Sequence, residues 1–206
     1  SNLMEWEKLW AINKRIIDPV CPRYSAVSVE KASRLTVVNG PEQPIATSVE
    51  MSKLNKDLGL RPLWKSKNLL IEFDDADTIC NVGEKVTFMN WGNFNILTKE
   101  LQADGSYNLT AEYLPEDVDF KKTKKITWLA DGTNLLVVNL VEYDHLIKVP
   151  KIEEDQNFDD AINPKSKFVT KAYVDSGVRL LNHSTTAFIQ IVSCNSREEV
   201  TTVSIK

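Results

Sequence analysis

Asn93-Phe-Asn-Ile-Leu-Thr98 and Tyr107-Asn-Leu-Thr-Ala-Glu-Tyr-Leu114, separated by a loop containing Asp104-Gly105, decide the fold class of this chain. Both runs hold aromatic and branched residues, and Asp-Gly supplies a tight turn, so the pair reads as a β-hairpin. The same grammar continues outward. Arg34-Leu-Thr-Val-Val38 is closed by Asn39-Gly40-Pro41, and Val27 and Val29 alternate with serine. Further strands are expected over Asn68 to Phe73, Lys85 to Met89, Phe168 to Val174, Val178 to Leu181, Ala187 to Ser193 and Val200 to Ile205. Lys125 to Ala130 and Asn134 to Tyr143 flank Asp131-Gly132 and read as a second hairpin. Many short strands with regular turn signals predict a mainly β chain of barrel or sandwich type.

Helix is expected in three places. Leu3, Trp6, Leu9, Trp10, Ile16 and Ile17 recur near helical spacing, with Asn2 and Glu5 resembling a capping box and Pro19 and Pro22 ending the run. Val49 to Leu58 reads as a short helix, and Asp155 to Ile162 as one or two turns. No internal repeat or Gly/Ser linker divides the 206 residues, so two β units, if present, are interleaved or tightly joined.

Composition narrows the function classes. With 42% hydrophobic and 26% charged residues, the chain is an ordinary soluble globular protein that can bury a sizeable core. Cys21, Cys80 and Cys194 are far apart, which fits reduced thiols and supplies no zinc framework. His145 and His183 are isolated and read as structural. No signal peptide is visible, and the apolar stretch from Leu135 to Val141 is far short of the ~20 residues of a membrane helix. The net charge of −4 conceals local patches. Lys121-Lys-Thr-Lys-Lys125 holds four positive charges in five residues, and Lys65-Ser-Lys67 and Lys14-Arg15 add more. Acids gather at Asp74, Asp75 and Asp77, read as a solvated turn, at Glu116 to Asp119, and at Glu153 to Asp155. Counterion release depends on cations near phosphates rather than on the total charge, so the acidic balance leaves RNA binding open. Phosphate-binding loops, nucleophile elbows and HExxH are all absent, and nothing in the sequence assembles a catalytic site.

Met4-Glu-Trp-Glu-Lys-Leu-Trp-Ala-Ile-Asn-Lys-Arg-Ile-Ile-Asp-Pro-Val-Cys-Pro-Arg-Tyr24 resembles the segment that follows the catalytic domain in eukaryotic and archaeal-type glutamyl-tRNA synthetases. Val86-Thr-Phe-Met-Asn-Trp-Gly-Asn93, Lys121 to Leu129, Tyr143-Asp-His-Leu-Ile-Lys-Val-Pro150 and Ile162-Asn-Pro-Lys-Ser166 resemble the anticodon-binding region shared with the glutaminyl family. The resemblance implies two adjacent β-barrels, proximal and distal, after a short helical lead-in over residues 1–24. The proximal barrel is expected over about 25–82 and part of 150–206, and the distal barrel over about 83–149. It also implies a cytoplasmic chain that binds tRNA(Glu), without membrane or DNA partners. Glutamate attachment, with its ATP and magnesium, is expected of the parent enzyme's catalytic domain, so this part holds no cofactor. A second reading makes the same barrels a module docking to other synthetases or scaffold proteins. A third, a ribosomal 5S RNA-binding relative, is disfavoured by the tryptophan-rich lead-in.

The resemblance also nominates residues. Asn39 and Asn90 fall where the family places asparagines against anticodon nucleotides, and an amide both donates to and accepts from a base edge. For Asn39 the alternative is a turn residue before Gly40. Trp91 is either a stacking platform for a splayed base or core. Lys121, Lys122, Lys124 and Lys125 are phosphate candidates, although strand alternation turns only one of Lys124 and Lys125 toward a ligand. Lys165 and Lys167 are weaker candidates. Gln190 fits a family glutamine near the central anticodon base, but Ser193 stands where an arginine is expected; either Arg197 substitutes or that base is read differently.

Overall fold

The computed structural model describes residues 6–17, 19–149, 152, 156–180, 190–191 and 202–204. In chain order the elements are α1 (Trp6–Ile17), β1 (Arg23–Tyr24), β2 (Ala26–Ser28), β3 (Ser33–Val37), β4 (Ile45–Glu50), a 3-10 turn (Lys56–Leu58), β5 (Leu60–Lys65), β6 (Asn68–Ile71) and α2 (Phe73–Thr78). They continue as β7 (Lys85–Phe88), β8 (Gly92–Leu101), β9 (Tyr107–Leu114), β10 (Lys124–Ile126), β11 (Trp128–Ala130), β12 (Leu136–Tyr143), α3 (Phe158–Ala161), β13 (Lys167–Val174), a second 3-10 turn (Ser176–Leu180), β14 (Gln190–Ile191) and β15 (Thr202–Ser204). The chain is mainly β, as expected. None of the described helices is long and apolar enough to cross a membrane.

Seven strands form one sheet in the order β10-β7-β8-β9-β3-β6-β11. Its two outermost strands, β10 and β11, are consecutive in the chain and separated only by Thr127, which is buried. β10 runs parallel to β7 while β11 runs antiparallel to β6, so the chain carries one edge of the sheet round to the other and nearly closes a barrel. Strand alternation fills it: Leu69 and Ile71 on β6, Phe94 and Ile96 on β8, and Trp128 and Ala130 on β11 point inward and are buried together. Deleting a side chain such as Leu69 from this interior costs about 2–5 kcal/mol.

The residues between those inward positions make the second contact layer. Leu70 and Leu129 leave the barrel on its outside and meet Val27 of β2. Val27 belongs to a four-stranded sheet, β15-β12-β13-β2, whose other face buries Ala26, Val138, Ala172 and Val174 with Tyr24. One-residue alternation on β2 and β6 therefore joins the two sheets. The barrel draws strands from both sides of residue 82, and the four-stranded sheet takes β12 from the segment before 150. A buried ion pair, Arg61 Nη1 to Asp175 Oδ2 at 2.8 Å, ties the β4–β5 ribbon to the end of β13, with the guanidinium 5.6 Å from the Tyr24 ring centroid.

Several local expectations are corrected. Asp131-Gly132 does not close a hairpin: β11 joins the barrel and β12 the other sheet. Lys125 to Ala130 is two strands rather than one, broken at Thr127. Val49 belongs to β4, and only Lys56–Leu58 in that stretch turns, as a 3-10 helix capped by the Asn55 side chain. Val178 lies in a 3-10 turn rather than a strand. Asp74, Asp75 and Asp77 lie in α2 rather than in a turn; Asp74 and Asp77 are solvated as expected, but Asp75 is only 1% exposed. α2 plugs one end of the barrel with Ala76 and Cys80. The capping-box residues Asn2 and Glu5, and also His183, Ser193, Cys194 and Arg197, lie outside the described residues.

Candidate functional site

Strand register places the candidate residues. Phe88 pairs with Gly92, Asn93 with Leu114, Val37 with Ala111, Thr36 with Asn68, and Leu69 with Ala130. The turns 38–40, 66–67, 89–91 and 131–133 therefore share one rim of the barrel, opposite the α2 plug. Asn39, Asn90 and Trp91 all stand on this rim.

Asn39 is held by two hydrogen bonds. Its Nδ2 donates to the Tyr113 carbonyl and its Oδ1 accepts from the Tyr113 N–H, both at 2.8 Å. The side chain thus extends the β3–β9 pairing by one step beyond Val37. The second Nδ2 proton and the second Oδ1 lone pair lie outside this pair of bonds.

Asn90 sits at the tip of the β7–β8 hairpin, exposed, with φ 62°. Asparagine tolerates this left-handed conformation better than other non-glycine residues. The turn is braced from both sides: Trp91 N donates to Phe88 O at 3.0 Å and Met89 N to Ile126 O at 3.1 Å. Trp128 Nε1 donates to Met89 O at 2.9 Å. Gly92 follows with φ 151°, and a Cβ there would stand 2.8 Å from the Tyr113 ring. A side chain at 92 would force that ring away.

Trp91 is half-buried. Its ring centroid lies 4.9 Å from that of Trp128, 5.2 Å from Phe94 and 6.0 Å from Tyr113. Lys65 Nζ stands 5.5 Å from the same indole. Trp91 is thus both partner of the core and floor of the rim.

The lysines reach the barrel by a different route. After Leu114 the chain runs back over β8 and β7 before entering β10. Asn93, fully buried, pins this loop: its Nδ2 donates to Asp117 Oδ1 at 3.0 Å, Asp119 O at 3.1 Å and Asp117 O at 3.2 Å. Lys85 pairs with Asp117, and its hydrogen bond leads the effects that hold that carboxyl below the usual range. Lys121, Lys122 and Lys124 are exposed along this approach. Lys125 is not: its ammonium donates to the carbonyls of Phe120 and Thr123 and to Thr123 Oγ1. The expected alternation thus holds, with Lys124 outward and Lys125 bound to its own loop.

Gln190 lies in β14, paired in parallel with β1 (Arg23↔Gln190), apart from the barrel sheet. Lys167 begins β13, paired with Tyr143 in the four-stranded sheet, and Lys165 precedes it by two residues, so neither belongs to the barrel sheet. Beside Asn39 an open cleft of about 710 Å³ is lined by Leu114, Pro115 and Val118 together with the acidic Glu112, Glu116, Asp117 and Asp119, of which Asp117 is paired with Lys85. Among the described residues no group of three or more His, Cys, Asp or Glu side chains is arranged to hold a metal ion. Lys65, Asn93 and Tyr113 were not among the sequence candidates. Asn93 and Lys65 appear only inside quoted runs, and their roles depend on strand pairings that no local motif announces.

Comparison with known proteins gives two family matches. Residues 21–114 and 125–191 each match a family model described as the anti-codon binding domain of class I (E and Q) tRNA synthetases. The two segments adjoin at the β9–β10 loop. The chain is 42% identical over 183 residues to the cytoplasmic glutamate–tRNA ligase of Arabidopsis thaliana, covering 87% of this chain and 25% of the relative. It is 40% identical over 177 residues to the cytoplasmic glutamate–tRNA ligase of Saccharomyces cerevisiae, covering 85% and 24%. It is 43% identical over 167 residues to a bifunctional glutamate/proline–tRNA ligase of Mus musculus, covering 80% and 11%. The chain spans a quarter or less of the length of these relatives.

Proposed function

From the premise that the chain belongs to the anticodon-binding domain family of the class I glutamyl and glutaminyl tRNA synthetases, we propose that it recognises the anticodon arm of tRNA(Glu) within a cytoplasmic glutamate–tRNA ligase. The glutamate assignment is supported by the ligase names of the relatives, to which the chain is 40–42% identical in two cases. ATP, magnesium and the transfer of glutamate belong, in this reading, to the catalytic part of the parent enzyme. The residues described here bind and orient the RNA.

The observation that carries the reading is the shared rim of Asn39, Asn90 and Trp91. Asn90 offers an amide on an exposed, conformationally fixed tip, suited to the Watson–Crick edge of an unstacked base. Asn39 offers its remaining amide valences from a position locked on Tyr113. Trp91 gives an aromatic floor against which a base can stack. Lys121, Lys122 and Lys124 neutralise phosphates along the flank, while Lys125 maintains the loop that presents them. Gln190, paired with Arg23 of β1, contacts the RNA from outside this rim.

The test is a titration of labelled tRNA(Glu), and of the same tRNA with a changed central anticodon base, against the chain and Asn90→Gly. Glycine keeps the left-handed turn and removes the amide. The wild type is expected to prefer the unaltered anticodon, and Asn90→Gly to lose about 1–3 kcal/mol of affinity or discrimination. Equal binding of both tRNAs by wild type and variant would refute base reading at this rim.

A further inference from the structure

Lys65 is placed at the rim by an aromatic ring rather than by a carboxylate, as Lys31 is at the α2 end, where its Nζ stands 5.2 Å from the Phe73 ring centroid. Lys67 pairs with Glu42 at 2.9 Å, Lys56 with Glu50 at 3.4 Å, and Lys85 with Asp117. Lys99 donates to Asp77 O at 2.7 Å, and Lys125 is bound to its loop. The Lys65 ammonium makes no ion pair or hydrogen bond with a described residue; it stands over the face of Trp91, 5.5 Å from the ring centroid. Burial alone pulls its pKa below the ordinary lysine value.

The backbone on either side fixes where this cation stands. Lys65 is the last residue of β5 and pairs with Ile45. The next residue, Ser66, is buried and locked: its Oγ lies 2.5 Å from Asn68 O and 3.2 Å from Asp131 O, and it accepts from Asn68 N at 3.1 Å. The indole below is itself held by Phe94, Tyr113 and Trp128. A lysine that has lost part of its hydration, lacks a carboxylate and rests on a rigid aromatic face has its charge free for an incoming anion. The cleft beside Asn39 carries Glu112, Glu116 and Asp119, whereas Lys65 brings a positive charge to the rim.

We propose that Lys65, seated on Trp91, is a phosphate-binding residue of the rim, neutralising a backbone phosphate of the RNA loop whose bases face Asn39 and Asn90. The proposal rests on the RNA-binding reading above and adds to it a residue and a chemical contact. Trp91 then serves as the platform that holds the ammonium in place, in addition to any stacking with a base.

The experiment compares the chain with Lys65→Met, Lys65→Arg and the control Lys56→Met, each titrated with labelled tRNA(Glu) transcript across about 50 to 200 mM KCl. Methionine retains the apolar stem over the indole, and thermal melts establish that each variant is folded. The expected result is that Lys65→Met weakens binding about fivefold near 0.1 M salt and lowers the slope of log K against log salt by about 0.7. Lys65→Arg is expected to retain the slope, and Lys56→Met to match the wild type. An unchanged slope in Lys65→Met, with or without a loss of affinity, overturns the phosphate contact while leaving tRNA binding intact. Failure of the wild type itself to bind overturns both readings, and is recognised because all four proteins then behave alike.

Discussion

Asn39 and Tyr113 lie 74 residues apart in sequence and are joined as if by one more step of a β-ladder, amide side chain against peptide, with both bonds at 2.8 Å. The same Tyr113 packs its ring on Trp91 and against Gly92. One side chain thus sets the spacing between the β3 end and the β7–β8 tip.

Asn39→Ala removes both bonds and is expected to lower stability by about 1–2 kcal/mol, since each exchanges with water. Asn39→Asp is expected to do at least as much harm, because a carboxylate has no proton to give the Tyr113 carbonyl. Urea unfolding of the three proteins checks the order.

Lys124→Met and Lys125→Met separate two neighbouring cations. Lys124 is exposed, so its loss is expected to lower the salt slope of tRNA binding by about 0.7 without changing stability by more than about 0.5 kcal/mol. Lys125 is committed to Phe120 and Thr123, so its loss is expected to destabilise the loop and leave the slope unchanged. Paired anisotropy and melting measurements distinguish them.

Asp75 is 1% exposed and neither carboxylate oxygen has a hydrogen-bond partner. Burial, reinforced by Glu72 and Asp74, raises its pKa from 3.8 to about 7. The folded state therefore holds a proton that the unfolded state releases. Its contribution to stability is full below about pH 3.8, declines as pH rises and is lost by about pH 7, then stays level. Asp75→Asn is expected to abolish that decline and to be more stable than the wild type at pH 8 by on the order of 3 kcal/mol, reduced by whatever the new amide leaves unpaired. Chemical unfolding between about pH 5 and about pH 8 gives the slope directly.

Arg61 and Asp175 are 5% and 6% exposed, so removing one strands the other. Asp175→Ala is expected to cost about 3–5 kcal/mol, whereas a combined Arg61→Met, Asp175→Leu replacement recovers much of it. A double-mutant cycle in denaturant measures the coupling.

The hairpin at Asp104-Gly105 was legible because two adjacent runs alternate and the turn between them is short; β8 and β9 are its arms. Asp131-Gly132 has the same local chemistry, yet Asp131 N bonds back to Asn68 O and the chain then leaves for another sheet. Turn residues specify a change of direction, not the strand that will be met. α2 is hard to read in the sequence although Asp74 and Asp75 mark an acidic first helical turn, since buried acid is rare and three acids in four positions suit solvent. Family motifs nominate Asn39, Asn90 and Trp91, and strand register brings the three to one rim. No motif nominates Lys65, because its meaning depends on an indole 26 positions away.

Thr127 also decides which strand edges the barrel leaves bare. β3, β6, β7, β8 and β9 pair as β7-β8-β9-β3-β6 and by themselves would leave unpaired edges at β7 and β6. Both are covered by the stretch from Lys124 to Ala130, with β10 on β7 and β11 on β6. A change that displaced those seven residues would uncover two edges at once, the kind of surface that invites association between chains.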